Sequence, residues 1–275
     1  MRASHIFDTI RYQLSGVTKI VSTTNLQSLF QKSQQSGMSN RSVDILVQNL
    51  SGQAGLGCVG AQVDDLNTDE STLVLVVMDS SGSMSSLRDD VIDAFNQMTR
   101  ALKDSKQSDS ILLSAWTFDS TPHLLFGYSL IDQVPDLNRT TYAPNGSTAL
   151  YDAVLDGFTG LVAYNQTLRD AGNQTRCVVV VISDGDDNTS QRTAAAVKTV
   201  ATDLLKQEIY TLAFIGMGDA KTFQQVAGSM GFPSILTVAN SASDIRKALA
   251  LVSNSVIRVS QQTGKASAGN GFFTP

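Results

Sequence analysis

From Thr72 onward the chain alternates two kinds of segment, and this alternation constrains the fold more than any other feature. Thr72–Met78 (TLVLVVM) is a continuous apolar run rich in Val and Leu, as a strand buried on both faces should be. Ser86–Lys106 then carries Leu87, Val91, Phe95, Met98 and Leu102 at helical spacing. Asp89, Asp90 and Asp93 lie near its start, where acids suit the positive end of the helix dipole. Ser110–Phe118 reads as a second strand and His123–Tyr128 as a third. The turn between them, Asp119-Ser120-Thr121-Pro122, is so short that the pair must be antiparallel. The pattern continues with helix Thr148–Thr167, strand Cys177–Ser183, helix Gln191–Gln207 and strand Glu208–Ile215. Helix Ala220–Met230 follows, stopped by Gly231 and Pro233, then strand Ser234–Val238 and a closing helix, Ser243–Gln262. Strands alternating with helices imply an α/β fold: a Rossmann-like three-layer sandwich, its central sheet mostly parallel with one antiparallel edge strand, helices on both faces.

The first 70 residues break the pattern. Phe7–Gln35 is rich in Ser, Gln and Thr, with apolar positions scattered at a weak helical period. Ser42–Leu50 reads as a helix turn or a strand, and Ser51–Gly60 as a glycine-rich loop. Residues 1–70 are therefore expected to form a partly helical N-terminal extension that packs on the main domain or on a partner. The main domain is expected over 71–262, with a flexible tail over 263–275.

Composition excludes several classes. Of the 275 residues 42% are hydrophobic and 16% charged, which is globular rather than disordered. A net charge of −5 with no basic cluster argues against nucleic acid. Cys58 and Cys177 have no CxxC spacing, and Cys177 opens the apolar run CVVVVIS, so a reduced buried thiol is expected there. The N-terminus places Asp8 and Arg11 where a secretory core needs apolar residues, and no apolar stretch approaches the roughly 20 residues of a membrane span. A soluble, cytoplasmic protein without a membrane span is expected.

Ligands of such sheets bind beyond the carboxyl ends of the strands. At one such end stands VVMDSSGSM, where Asp79, Ser81 and Ser83 form D-x-S-x-S in a tight loop that Gly82 allows to turn. These are hard oxygen donors, suited to Mg²⁺. Two further strand-end loops offer more: Gly146-Ser147-Thr148-Ala149-Leu150 and Ser183-Asp184-Gly185. Read alone, Asp79 could simply cap the next helix. Asp186, Asp187 and Asn188 read as a solvated acidic loop or as charges that tune partner choice, and Asp219 as a helix cap. An EF-hand reading of the stretch from Asp184 fails, because its sixth and twelfth positions are Thr189 and Ala195. Trp116 is expected in the core, while His5 and His123 have no metal-like neighbours.

The three motifs, in this order and each at a strand's end, resemble the von Willebrand factor type A domain with its metal-ion-dependent adhesion site. The resemblance covers about Ser71 to Gln262. It implies that Ser81 and Ser83 ligate a cation through their hydroxyls, and that Thr148 does so directly or through water. Asp79 and Asp184 would supply the negative charge, one or both through bound water. The ion would be Mg²⁺, with Mn²⁺ or Ca²⁺ as alternatives, and a carboxylate from a protein partner would fill an open position. A non-enzymatic interaction module is thus expected. One alternative is a self-assembling structural component that uses the N-terminal extension. The other is a metal-dependent phosphoryl-transfer enzyme, against which stands Ser81, where a second acid would be wanted. No Walker, HExxH or G-x-S-x-G motif is present, and no G-x-G-x-x-G follows the first strand, as dinucleotide binding would need.

Overall fold

The computed structural model describes residues 9–14, 17–50, 53–218, 220–262 and 271–273. It begins with β1 (Thr9–Leu14) and β2 (Val17–Ser22), paired antiparallel. This corrects the weak helical period read across Phe7–Gln35, for a helix starts only at α1 (Thr23–Gln35). Val17, Thr18, Ile20 and Val21 are β-branched, and such side chains lose rotamer freedom in a helix but suit a strand. The stretch left open between helix and strand is a helix, α2 (Asn40–Gln48), started by Ser39, whose hydroxyl accepts from Ser42 N at 3.3 Å. Inside the expected glycine-rich loop lies one short helix, α3 (Gln53–Gly57).

The remaining elements follow the sequence pattern with shifted ends. They are β3 (Glu70–Asp79), α4 (Arg88–Lys103), β4 (Ile111–Phe118), β5 (Pro122–Leu130), α5 (Leu150–Asp170), β6 (Gln174–Ser183), α6 (Ala194–Lys206), β7 (Tyr210–Met217), α7 (Ala220–Ser229), β8 (Ser234–Val238) and α8 (Ala242–Ser260). The main sheet has the order β5-β4-β3-β6-β7-β8. All its pairings are parallel except β4 with the edge strand β5. β6 starts three residues before its apolar run because Gln174, Thr175 and Arg176 already pair with β3, and a ladder bond needs no apolar side chain.

β3 shows why a central strand must be apolar throughout. Leu73, Leu75 and Val77 enter the core on the α5 side. Val74, Val76 and Met78 enter the opposite core, with Val91, Phe95 and Met98 of α4 and Leu249, Val252 and Val256 of α8. Trp116 is core, as expected, and both cysteines are free and buried.

The N-terminal extension packs on this chain's own domain. α1, α2 and α3 form a partial outer layer over α5, so that α5 is buried on nearly every side. Leu26, Phe30 and Leu46 join the core beneath them. Gly57 of α3 meets Gly160 of α5 so closely that a Cβ on Gly160 would stand 2.6 Å from the Gly57 carbonyl. Two polar clusters fix the layer. Asp203 of α6 accepts from Ser39 N (2.9 Å), the Ser39 hydroxyl and the Ser42 hydroxyl (2.7 Å). Asn49, at the end of α2, donates to Asp156 and Thr159 of α5, both at 2.9 Å.

At the other end, Phe272 is buried against the α4–α8 core, and its carbonyl accepts from Arg258 at 2.9 Å. Residues 263–270 and 274–275 of the expected tail, His5 and the expected cap Asp219 lie outside the described residues. Among those residues no helix is long and apolar enough to cross a membrane.

Candidate metal centre

β3 and β6 run parallel and adjacent, so Asp79 and Ser183 end side by side at the carboxyl rim of the sheet. Ser183 donates its hydroxyl to Asp79 Oδ2 at 2.6 Å, and Ser81 N donates to Asp79 Oδ1 at 2.8 Å. The Ser81 and Ser83 hydroxyls lie 3.1 Å apart, and Ser83 donates to Asp184 Oδ1 at 2.8 Å. Asp79, Ser81, Ser83 and Asp184 are therefore one connected group of oxygens. Thr148 joins them from a third loop. Its Oγ1 lies 4.0 Å from where a Cβ on Gly185 would stand, and among the described residues this hydroxyl has no hydrogen-bond partner. All five sequence-predicted site residues are thus gathered at one rim. Thr148 sits two residues ahead of α5 rather than opening it.

The two acids carry opposed influences. Burial pushes the Asp79 carboxyl up; hydrogen bonds from Ser183 and Ser81 pull it down, and the charge of Asp184 pushes it up again, for a net rise. Burial also raises Asp184, against the hydrogen bond from Ser83. Among the described residues neither carboxylate has an arginine or lysine partner. The rim therefore holds two acids without a protein cation. Its donors are hard oxygens alone, two carboxylates and three hydroxyls, a set that suits Mg²⁺. No group of three or more His, Cys, Asp and Glu is gathered anywhere among the described residues, so carboxylates do not form a cage on their own.

Several residues outside the predicted set hold the rim together. Tyr142 is fully buried and donates its hydroxyl to the Asp79 carbonyl at 2.5 Å. Asn145 N bonds Ser80 O at 2.8 Å and Gly82 N bonds Gly146 O at 3.1 Å, which ties the second loop to the first. Gly146 has φ +68°, and a Cβ there would stand 2.7 Å from Ser120 Oγ, which holds Ser147 N at 3.0 Å. Asn188 Oδ1 accepts from Thr148 N at 2.9 Å. Asp187 and Asn188 are therefore not merely a solvated acidic loop: Asp187 accepts from Tyr151 N at 3.3 Å, at the start of α5. Asp186 alone of the three is exposed without a partner on another element. The only sequence signal for Asn188 is its residue type, since Asn side chains readily bond backbone groups, and nothing local shows that its partner is Thr148. His123 is exposed and pairs with Asp119 at 3.1 Å.

Residues 74–251 match the von Willebrand factor type A domain family. Among solved structures, the PilB minor pilin from Streptococcus sanguinis aligns with a TM-score of 0.51 at 12% identity, over 70% of this chain and 62% of that one. The open conformation of the pilus adhesin SpaC from Lactobacillus rhamnosus GG aligns with a TM-score of 0.52 at 14% identity, over 70% of this chain and 30% of that one. The chain thus spans about three fifths of the pilin's length and under a third of the adhesin's. At these identities the likeness is one of fold. No curated protein sequence is significantly similar to the chain.

Proposed function

The chain belongs to the von Willebrand factor type A domain family, and from that premise we propose that its rim binds a protein partner's carboxylate through a shared divalent cation. Mg²⁺ suits the donors best, with Mn²⁺ or Ca²⁺ as alternatives. Ser81, Ser83 and Thr148 would hold it through hydroxyls, and Asp79 and Asp184 would balance its charge. When bound, the cation supplies an electrophilic position for an incoming acid. The observation that carries the reading is the pair of acids, Asp79 and Asp184, joined through Ser81 and Ser83 and left without a protein cation.

The chain's own residues do the rest. Ser183 and Ser81 N hold the buried Asp79 carboxylate in one orientation. Hydroxyls rather than further acids line the remaining positions, so an outside carboxylate meets less repulsion there. The same residues speak against an enzyme, since Ser81 offers no second carboxylate for proton transfer. Self-association through the extension has less support. Leu26, Phe30 and Leu46, which a partner copy would need, are already buried in this chain's core.

The test has two parts. Mg²⁺ should raise the thermal midpoint of the wild type, and Asp79→Ala should abolish that response. Tagged protein should then retain a partner from lysate in Mg²⁺ but not in EDTA, and Asp79→Ala should retain none. A partner held equally in all three conditions moves the interface off the rim.

A further inference from the structure

We infer that Asn188 is a positioning residue for Thr148, joining the loop that carries Asp184 to the loop that carries Thr148 so that their two oxygens are set as one unit. The inference rests on the rim's being a cation site. Both backbone polar groups of Thr148 are bound to this one residue. Asn188 Oδ1 accepts from Thr148 N at 2.9 Å, and Asn188 N donates to Thr148 O at 3.0 Å. Only the Thr148 hydroxyl is left over, and it lies beside Gly185, next to Asp184.

The surroundings show why this bracket is needed. Ala149, the residue that caps α5, has no side-chain acceptor. The N–H groups at the start of α5 are capped from the other loop instead. Asp187 takes Tyr151 N at 3.3 Å and Ser190 takes Asp152 N at 3.1 Å. Asp152 answers by accepting from Gln191 N (3.0 Å) and Arg192 N (2.8 Å). From Asp187 to Arg192 the loop that follows Asp184 is thereby locked to the start of α5. Asn188 is the member of this lock that reaches the residue bearing the candidate ligand. Without it, Thr148 gains backbone freedom that cation binding must then remove.

The experiment uses the full chain and titrates Mn²⁺, with free ion read by electron paramagnetic resonance. Wild type is compared with Asn188→Ala, Thr148→Ala, the double variant, Asn188→Asp and Asp79→Ala, and thermal melts in EDTA check the fold of each. Asn188→Ala should weaken Mn²⁺ roughly two- to fivefold, within the worth of one lost hydrogen bond and no more than the loss of the Thr148 hydroxyl itself. The double variant should bind no more weakly than Thr148→Ala alone, because Asn188 acts through Thr148. Asn188→Asp keeps the acceptor and should bind at least as tightly as wild type. Additive losses in the double variant, or an unchanged Asn188→Ala, overturn the inference and leave the cation site standing. A wild type that takes up no Mn²⁺, or uptake indifferent to Asp79→Ala, overturns the cation reading and this inference with it.

Discussion

Two clusters of aspartate and serine sit in different regions of this molecule, and their carboxylates respond in opposite ways. At the docking layer, Asp203 is buried, which by itself would push its carboxyl up. Hydrogen bonds from Ser39, Ser42 and Ser39 N, with Lys206 at 3.0 Å, outweigh burial and hold it at about 2. At the rim, Asp79 is also buried and also accepts from serines, yet its carboxyl is raised. The difference is chiefly one of burial against hydrogen bonding: burial wins at Asp79, whereas the bonds from Ser39 and Ser42 win at Asp203, and the neighbouring charges add smaller effects of opposite sign. Lys206 completes the first cluster within the chain, whereas the rim faces a second acid, Asp184, and among the described residues pairs with no basic side chain. Similar residue types therefore make a finished structural joint in one place and an unfinished electrostatic site in the other.

The largest expected effect comes from breaking the finished cluster. Asp203→Ala removes a buried, charge-assisted acceptor and strands two serines, so it should cost about 3–4 kcal/mol in urea denaturation. The pH dependence has a definite sign. The folded value near 2 lies below the unfolded value of about 3.9, so Asp203 stabilises the protein fully above that value. That contribution, about 2–3 kcal/mol, is lost as pH falls from roughly 4 to 2, and the variant should lack this part of the acid limb.

Next comes Asp79→Asn, which should stabilise the cation-free protein by removing one of two neighbouring charges. It should also erase the Mg²⁺ response, worth about 3 kcal/mol in the wild type at a hundredfold excess over Kd. A metal-free melting temperature that drops sharply in this variant would falsify the contrast between the clusters.

Asp156 sharpens the comparison from a third side. Burial raises its carboxyl to about 6 despite the hydrogen bond from Asn49. Here the sign is reversed. Between roughly 6 and 4 the folded state takes up a proton before the unfolded one, so this group's contribution rises as pH falls through that window. Asp156→Asn should gain about 1–2 kcal/mol at pH 7 and little at pH 4, because the neutral amide avoids burying a charge. Equal changes at both pH values would remove burial of charge as the cause. The smallest effect is Thr148→Ala, which should weaken Mn²⁺ by about fivefold and leave the metal-free melt unchanged, since one hydroxyl without a protein partner is lost. A fallen melt would make Thr148 structural.

The order of strands and helices from β3 to α8 was legible because burial on a sheet leaves a local periodicity. The antiparallel edge was legible because a four-residue turn admits nothing else. Asp79, Ser81 and Ser83 were legible because they are near neighbours, and Thr148 and Asp184 because their loops also follow the pattern. Asp187 and Asn188 read from sequence as a solvated loop or as charges that tune partner choice, and their bonds to the other loop were not legible because those partners lie 36 and 40 residues away. Tyr142 bonds the Asp79 carbonyl across 63 residues and left no trace in the sequence pattern.

By itself, then, the sequence determined the layered sheet and the rim at which its oxygens collect, for both follow from spacing along a strand or loop. Tertiary structure decided the rest. It folded Asn40–Gln48 as a helix by setting its polar start on Asp203, and it placed the extension over α5 through Asn49 and Gly57. It also left one acidic cluster neutralised and the other open. What a buried carboxylate meets depends on which distant side chains the fold brings beside it, Ser39 and Ser42 for Asp203 but Ser183 and Asp184 for Asp79, and short-range sequence spacing carries no record of that.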